Sequence, residues 1–218
     1  YGHKKYDDVK YDGFYRRFKQ DVNFPEMAGK DIRAYFNFDT EENEKINIKF
    51  ALSPVSTAGA LKNLKAEIPN WDFDKTKVDT KAKWNKELSK IEVTSLNDDD
   101  KTNFYTALYH TNLSPIIYED VDGKYRGLDQ NIYTSDGFTN YTVFSLWDTY
   151  RALHPLFNIT QPERNNDMIK SMLAHHDESV HHMLAIWSHY ANENWCMIGY
   201  HATSVIADAM AKNVGDFD

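Results

Sequence analysis

Apolar and polar positions alternate first and only later space out. Ile32, Ala34, Phe36 and Phe38 interleave with Arg33, Tyr35 and Asn37, and Ile46, Ile48, Phe50 and Leu52 interleave with Asn47, Lys49 and Ala51. A period of two predicts two half-buried strands, joined by the charged, apolar-free residues 39–45. Residues 9–18, with an Asp12-Gly13 turn signal and aromatic flanks, predict a further strand pair or edge segment. Two or three strands are too few for an independent sheet, so residues 1–53 read as the last strands of a larger β domain. From residue 54 the spacing lengthens. Leu61, Leu64 and Ile68 recur at three and four behind Ser56 or Thr57 and ahead of Pro69, and Trp84, Leu88 and Ile91 form one stripe of a helix over 77–91. Residues 54–97 therefore read as two connecting helices, their lysines on an ordinary solvated face.

A third pattern starts near residue 98. Asp98, Asp99 and Asp100 form an acidic first turn ahead of Phe104, Leu108 and Thr111, favourable against the helix dipole. Neither this run nor residues 118–127 carries the full ligand spacing of an EF-hand loop. The latter predicts a β-hairpin closed by an Asp-Gly turn at Asp122-Gly123. Beyond Tyr141 the pattern is helical, with helices over 143–157, 162–175 and 199–212 and a short apolar segment at 183–190.

Composition narrows the function classes. With 218 residues, 41% hydrophobic and 27% charged, the chain has the material for a packed core, and no apolar run approaches the ~20 residues of a membrane span. The net charge of −8 argues against nucleic acid, and 14% aromatic content under a negative field suits a neutral sugar or polyol. Residues 1–100 hold 18 basic and 19 acidic groups, against 7 and 14 in 101–218, which also hold eight of the nine histidines. That shift marks a boundary near 98–101. A lone Cys196 excludes an internal disulfide and a cysteine zinc site. The first residue is Tyr1, with no initiator Met or signal segment, which predicts further chain upstream.

The candidate chemistry gathers in two runs. In residues 145–155, Trp147, Arg151 and His154 share one helical face with Asp148 at its edge, beside an apolar stripe of Leu146, Tyr150, Leu153 and Phe157. Trp offers a platform for the C–H face of a sugar, Asp accepts from vicinal hydroxyls and Arg donates a fork. A buried Asp148–Arg151 pair one turn apart that locks helix packing explains the spacing equally well. In residues 191–208, Ile198, Val205, Ile206 and Ala209 make the core stripe, while His201, Ser204 and Asp208 line another face and Glu193, Trp195 and Met197 precede the helix. His201 beside Tyr200 and Gly199 is a sugar-binding candidate, or a satisfied core histidine. His175, His176, His181, His182 and His189 lack metal spacing, so no metal ligands are assigned. No nucleophile elbow, phosphate loop or carboxylate couple is present.

Five blocks carry a family resemblance: YDGFYRRFKQ (11–20), ALKNLKAEIP (60–69), FYTALYHTNLSP (104–115), YTVFSLWDTYRALHPL (141–156) and MIGYHATSVIADAM (197–210). Together they make residues 10–218 resemble the family 92 glycoside hydrolases, calcium-dependent, exo-acting bacterial α-mannosidases. The resemblance implies an α+β chain: the end of an N-terminal β-sandwich (1–53), two linker helices (54–97) and the first half of an (α/α)6 barrel (98–218). A whole barrel needs about twelve helices, and at ~11–12 residues each only half fit. It implies release of terminal α-linked mannose from glycans, α-1,2 above all, with inversion, by an acid and a base ~6.5–9.5 Å apart. Neither the family's EGN-type glutamate motif nor its GNDD-type aspartate motif occurs here, so both groups are expected outside this chain. Calcium, which helps distort the sugar ring, is implied as cofactor without ligands identified here. The implied substrate-binding residues are Trp147, Asp148, Arg151, Tyr200 and His201. Glu193 stands where relatives carry a Glu-Thr pair, but Asn194 departs from it. Implied partners are a mannose-containing glycan and the remainder of the polypeptide, with no nucleic acid and no membrane span, in a periplasmic, cell-surface or secreted setting. A non-catalytic carbohydrate-binding module and a structural interaction domain are the alternatives.

Overall fold

The computed structural model describes residues 37–217. The strand segment expected at 9–18 and most of that at 32–38 lie outside them. The chain is helix-rich with a few short strands. Among the described residues three helices come first: α1 (Thr57–Glu67), α2 (Phe73–Leu88) and α3 (Asp98–Thr111). Each starts where a short polar side chain takes up a free N–H of the first turn: Ser56 from Gly59, Asp72 from Lys75 and Asn97 from Asp99. Asp72 starts α2 four residues before the expected Lys77. Strands β1 (Ile116–Ile117), β2 (Lys124–Arg126), β3 (Ile132–Thr134) and β4 (Tyr141–Thr142) pair antiparallel as β1 with β4 and β2 with β3. Helices α4 (Leu146–Thr149), α5 (Leu153–Thr160) and α6 (Pro162–Glu178) follow, then the pair β5 (Ser188–His189) and β6 (Asn192–Glu193), and finally α7 (His201–Ala211).

Three expectations change. Residues 46–52 form no strand, and their alternation is inverted: Ile48, Phe50 and Leu52 are 75%, 78% and 81% exposed, while Lys49 and Ala51 are half-buried. Lys49 decides this, since its ammonium donates to the Ile68 and Asn70 carbonyls at the end of α1 and lies over the Trp71 ring. The Asp-Gly turn forms, with Gly123 at φ +76° and the Asp120 N–H on the Lys124 carbonyl, but β2 takes β3 as its ladder partner instead of residues 118–120. The helix expected over 143–157 is two helices, broken at residues 150–152. Pro155 accounts for the break, because in a continuous helix its ring would meet the Arg151 carbonyl and it has no N–H to offer. At the third position of α5 that N–H is not needed.

The core lies between α4, α5, α6 and α7, where Phe144, Leu146, Phe157, Met168, Ile169, Met172 and Val205 are buried. A polar chain runs beside it. His154 Nδ1 meets Asn165 Oδ1 at 2.8 Å, Asn165 Nδ2 donates to Asn158 Oδ1 at 2.6 Å, and Asn158 Nδ2 donates to Asp208 Oδ2 at 2.9 Å. The linker is clasped to the turn before β2. Buried Asp120 accepts from Ser53 Oγ and Asn63 Nδ2, Asn63 Oδ1 accepts the Val121 N–H, and Arg126 donates to the Pro54 carbonyl. Gly59 makes room for this clasp, since a Cβ there would lie 2.1 Å from Asp120 Oδ2.

Candidate functional site

Three of the six expected residues, Trp147, Arg151 and His201, converge through Tyr150 at the junction of α4 and α7. The break after α4 turns Tyr150 so that it stacks on His201, ring centroids 4.3 Å apart and 10° from parallel. Trp147 meets the same imidazole edge-on at 6.5 Å, and the Arg151 guanidinium lies 5.2 Å from the Tyr150 ring centre. Tyr200, which precedes α7, accepts the Leu184 N–H on its hydroxyl. Gly199 adopts φ +106°, and a Cβ there would lie 2.6 Å from His201 Nε2, so this entry to the helix needs glycine. His154 leaves the expected face for the buried polar chain.

Trp147 and Asp148 point outward. Trp147 is 38% exposed, and the exposed Asp148 carboxylate has no hydrogen-bond partner among the described residues. The Asp148–Arg151 lock, one of the two readings of the spacing, is not formed: Arg151 is exposed and lies against Tyr150. An exposed indole, the exposed carboxylate that follows it in the chain and an exposed guanidinium three residues on are groups that can take a neutral polyol, rings against C–H groups and carboxylate accepting from hydroxyls. Glu193 is different. Its carboxylate accepts the backbone N–H groups of Ile186, Trp187 and Trp195 at 2.8–3.2 Å.

Local spacing gave Tyr150 to the apolar stripe, and nothing in the run around it signals the stack on a histidine fifty-one residues later. Glu178, at the end of α6, was equally hidden. It is 5% exposed and accepts the Tyr125 hydroxyl at 2.5 Å, and burial, with Asp129 adding to it, pushes its carboxyl up to about 7. A Cβ on Gly127 would sit 2.7 Å from Glu178 Oε2, so the β2–β3 hairpin packs closely on the end of α6. His175 sits on Ser188 Oγ at 3.0 Å, and burial brings its pKa down to about 4, so the imidazole is neutral. Among the described residues no three acidic, His or Cys side chains come together to hold a metal ion, and no helix is long and apolar enough to cross a membrane.

Comparison with known proteins gives this surface a context. Residues 59–218 match the model of the glycosyl hydrolase family 92 catalytic domain. Among solved structures, a family GH92 α-mannosidase from Bacteroides thetaiotaomicron is 55% identical with a TM-score of 0.74, over 76% of this chain and 22% of that one; the same holds for its complex with mannoimidazole. A family GH92 inverting mannosidase from B. thetaiotaomicron VPI-5482 is 28% identical with a TM-score of 0.70, over the same shares. An uncharacterized secreted glycosidase of Arthroderma benhamiae is 31% identical over 90 residues, 38% of this chain and 12% of that protein. The chain thus spans about a fifth of the length of the solved relatives.

Proposed function

The chain belongs to glycosyl hydrolase family 92, and on that premise we propose that it is the substrate-gripping part of an α-mannosidase whose catalytic acid and base lie elsewhere in the polypeptide. The observation that carries the reading is Asp148: an exposed, uncommitted carboxylate beside the Trp147 platform, in a chain 55% identical over most of its length to a solved α-mannosidase. Trp147 covers one face of the terminal mannose and Asp148 accepts from adjacent hydroxyls. Arg151, Tyr200 and His201 frame the same surface.

In the whole protein, residues 1–53 end a β-sandwich, 54–97 form the linker and 98–218 begin an (α/α)6 barrel. The reaction is inverting: one carboxyl protonates the leaving oxygen while another activates a water on the opposite face of the ring, ~6.5–9.5 Å away. The substrate is a terminal α-mannose, α-1,2-linked in particular, on N-glycan or mannan chains, met in the periplasm, at the cell surface or outside the cell. Calcium would help distort the sugar ring. The described residues bring no three or more His, Cys, Asp or Glu side chains together to hold a metal ion.

The test uses the intact protein and mannoimidazole, the ligand in the solved relative. Asp148→Asn should weaken binding by about 10- to 100-fold, the worth of one to two charge-assisted hydrogen bonds, with the melting temperature unchanged because the group is exposed. Unaltered affinity would remove Asp148 from the site.

A further inference from the structure

The loop beneath α4 is irregular. β5 and β6 are two residues each, and Tyr190, Ala191, Trp195 and Met197 all have positive φ between 49° and 67°. Backbone of this kind persists only where its surroundings hold it. Thr142 Oγ1 accepts the Tyr190 N–H and Gln130 Nε2 donates to the Ala191 carbonyl, and Glu193 holds Trp195. Oε2 accepts from the Ile186 and Trp187 N–H groups, and Oε1 from those of Trp187 and Trp195. A carboxylate has about four lone-pair directions. Three backbone N–H groups, that of Trp187 shared between both oxygens, commit this carboxylate to the loop.

The clamp reaches the site through one peptide plane. The unit joining Ile186 to Trp187 gives its N–H to Glu193 and receives on its carbonyl the N–H of Leu146, the first residue of α4, at 3.3 Å. Two residues on, the Ser188 carbonyl accepts the Val143 and Phe144 N–H groups at 3.0 and 3.1 Å, so the approach to α4 rests on the same loop. Trp147 and Asp148 follow Leu146 directly. A hydrogen bond donated to a carboxylate polarises the peptide that donates it and strengthens the bond its carbonyl accepts. Resting on the mannose-site reading above, we infer that Glu193 is a positioning residue: it holds the 186–187 peptide and thereby fixes the N-terminus of α4, which presents Trp147 and Asp148 to the sugar.

The experiment uses the intact protein with Glu193→Gln, which keeps one oxygen and nearly the same shape, alongside Asp148→Asn and the double variant. Without any sugar, amide hydrogen exchange in Glu193→Gln should quicken about tenfold or more at Ile186, Trp187, Trp195 and Leu146, while α6 core amides such as Met168 and Met172 keep their rates. With mannoimidazole, Glu193→Gln should weaken binding about tenfold, and the double variant should lose less than the product of the two single losses, because Glu193 acts through the helix that carries Asp148 together with Trp147. Unchanged exchange at Leu146, or losses that multiply in the double variant, would overturn the inference, the latter by marking an independent contact with sugar. Should the parent protein not bind mannoimidazole, the mannose-site reading fails on its own, and the exchange measurement still decides whether Glu193 holds α4.

Discussion

Two buried titratable side chains pull stability in opposite directions with pH. Glu178 has a folded value of about 7 against an ordinary 4.5, so the fold prefers it protonated, and its contribution to stability is lost as pH rises from about 4.5 through 7. His175 has a folded value of about 4 against 6.5, so the fold prefers it neutral, and its contribution is lost as pH falls from about 6.5 through 4. Each is worth up to about 3 kcal/mol, and over the shared range the two slopes cancel. Glu178→Gln, which can still accept the Tyr125 hydroxyl, removes one of them. Urea titrations across pH should show it more stable than the parent by about 1–3 kcal/mol at pH 8, equal near pH 4, and newly dependent on pH between 4 and 6.5. Equal midpoints at pH 5 and 8 would contradict this. The exposure of Trp147 and Asp148 follows from the sequence, because a polar edge beside an apolar stripe is a local property. The pairing of Tyr125 with Glu178 does not, because they lie fifty-three residues apart and only the fold makes them one site.

At the scale of elements, the same local rule divides the outcomes. α1 and α3 start where they were expected because their caps, Ser56 and Asn97, belong to the adjoining sequence. The break between α4 and α5 is masked because the stripe of Leu146, Tyr150, Leu153 and Phe157 runs on through it, although Pro155 carries the signal. Helix packing then rests on contacts that no stripe encodes. Asn165, fully buried, joins His154 and Asn158 and so ties α6 to α5, while Asn158 continues to Asp208 on α7. Asn165→Ala would leave a buried imidazole N–H and a buried amide carbonyl without partners, at about 2–4 kcal/mol. Chemical denaturation reads this directly, and a loss under about 0.5 kcal/mol would mean that the chain rearranges. The same network occupies Asn158 of the sequence Asn158-Ile-Thr160, and Asn140 of Asn140-Tyr-Thr142 is wholly buried, so neither acceptor pattern marks an available glycan site in this fold.

For the whole molecule, the helix-rich character and the family were legible from blocks spread over the chain. The sidedness of residues 46–52 was not: alternation states that two faces differ, whereas which face is covered depends on what packs there. Among the described residues Lys49 is drawn to the end of α1, while Ile48, Phe50 and Leu52 have no covering layer. The match covers 76% of the chain and 22% of the solved α-mannosidase, and the sequence includes neither expected catalytic motif. Incubated alone with an α-1,2-mannobiose, they should release no mannose above the buffer rate, and measurable turnover would place an acid and a base within this chain.

The clasp around Asp120 also sets a timetable for synthesis. The bonds from Asn63 to Asp120 and from Arg126 to Pro54 join residues 57 and 72 apart. At about 5–20 residues per second, α1 leaves the ribosome roughly 3–14 s before its anchors exist. Helical turns form within about a microsecond. The 11-residue α1 is too short to persist as an isolated helix, so it samples helical turns at once but takes its final seat only after the β2–β3 hairpin has emerged, and for several seconds its segment is open to any nascent-chain factor.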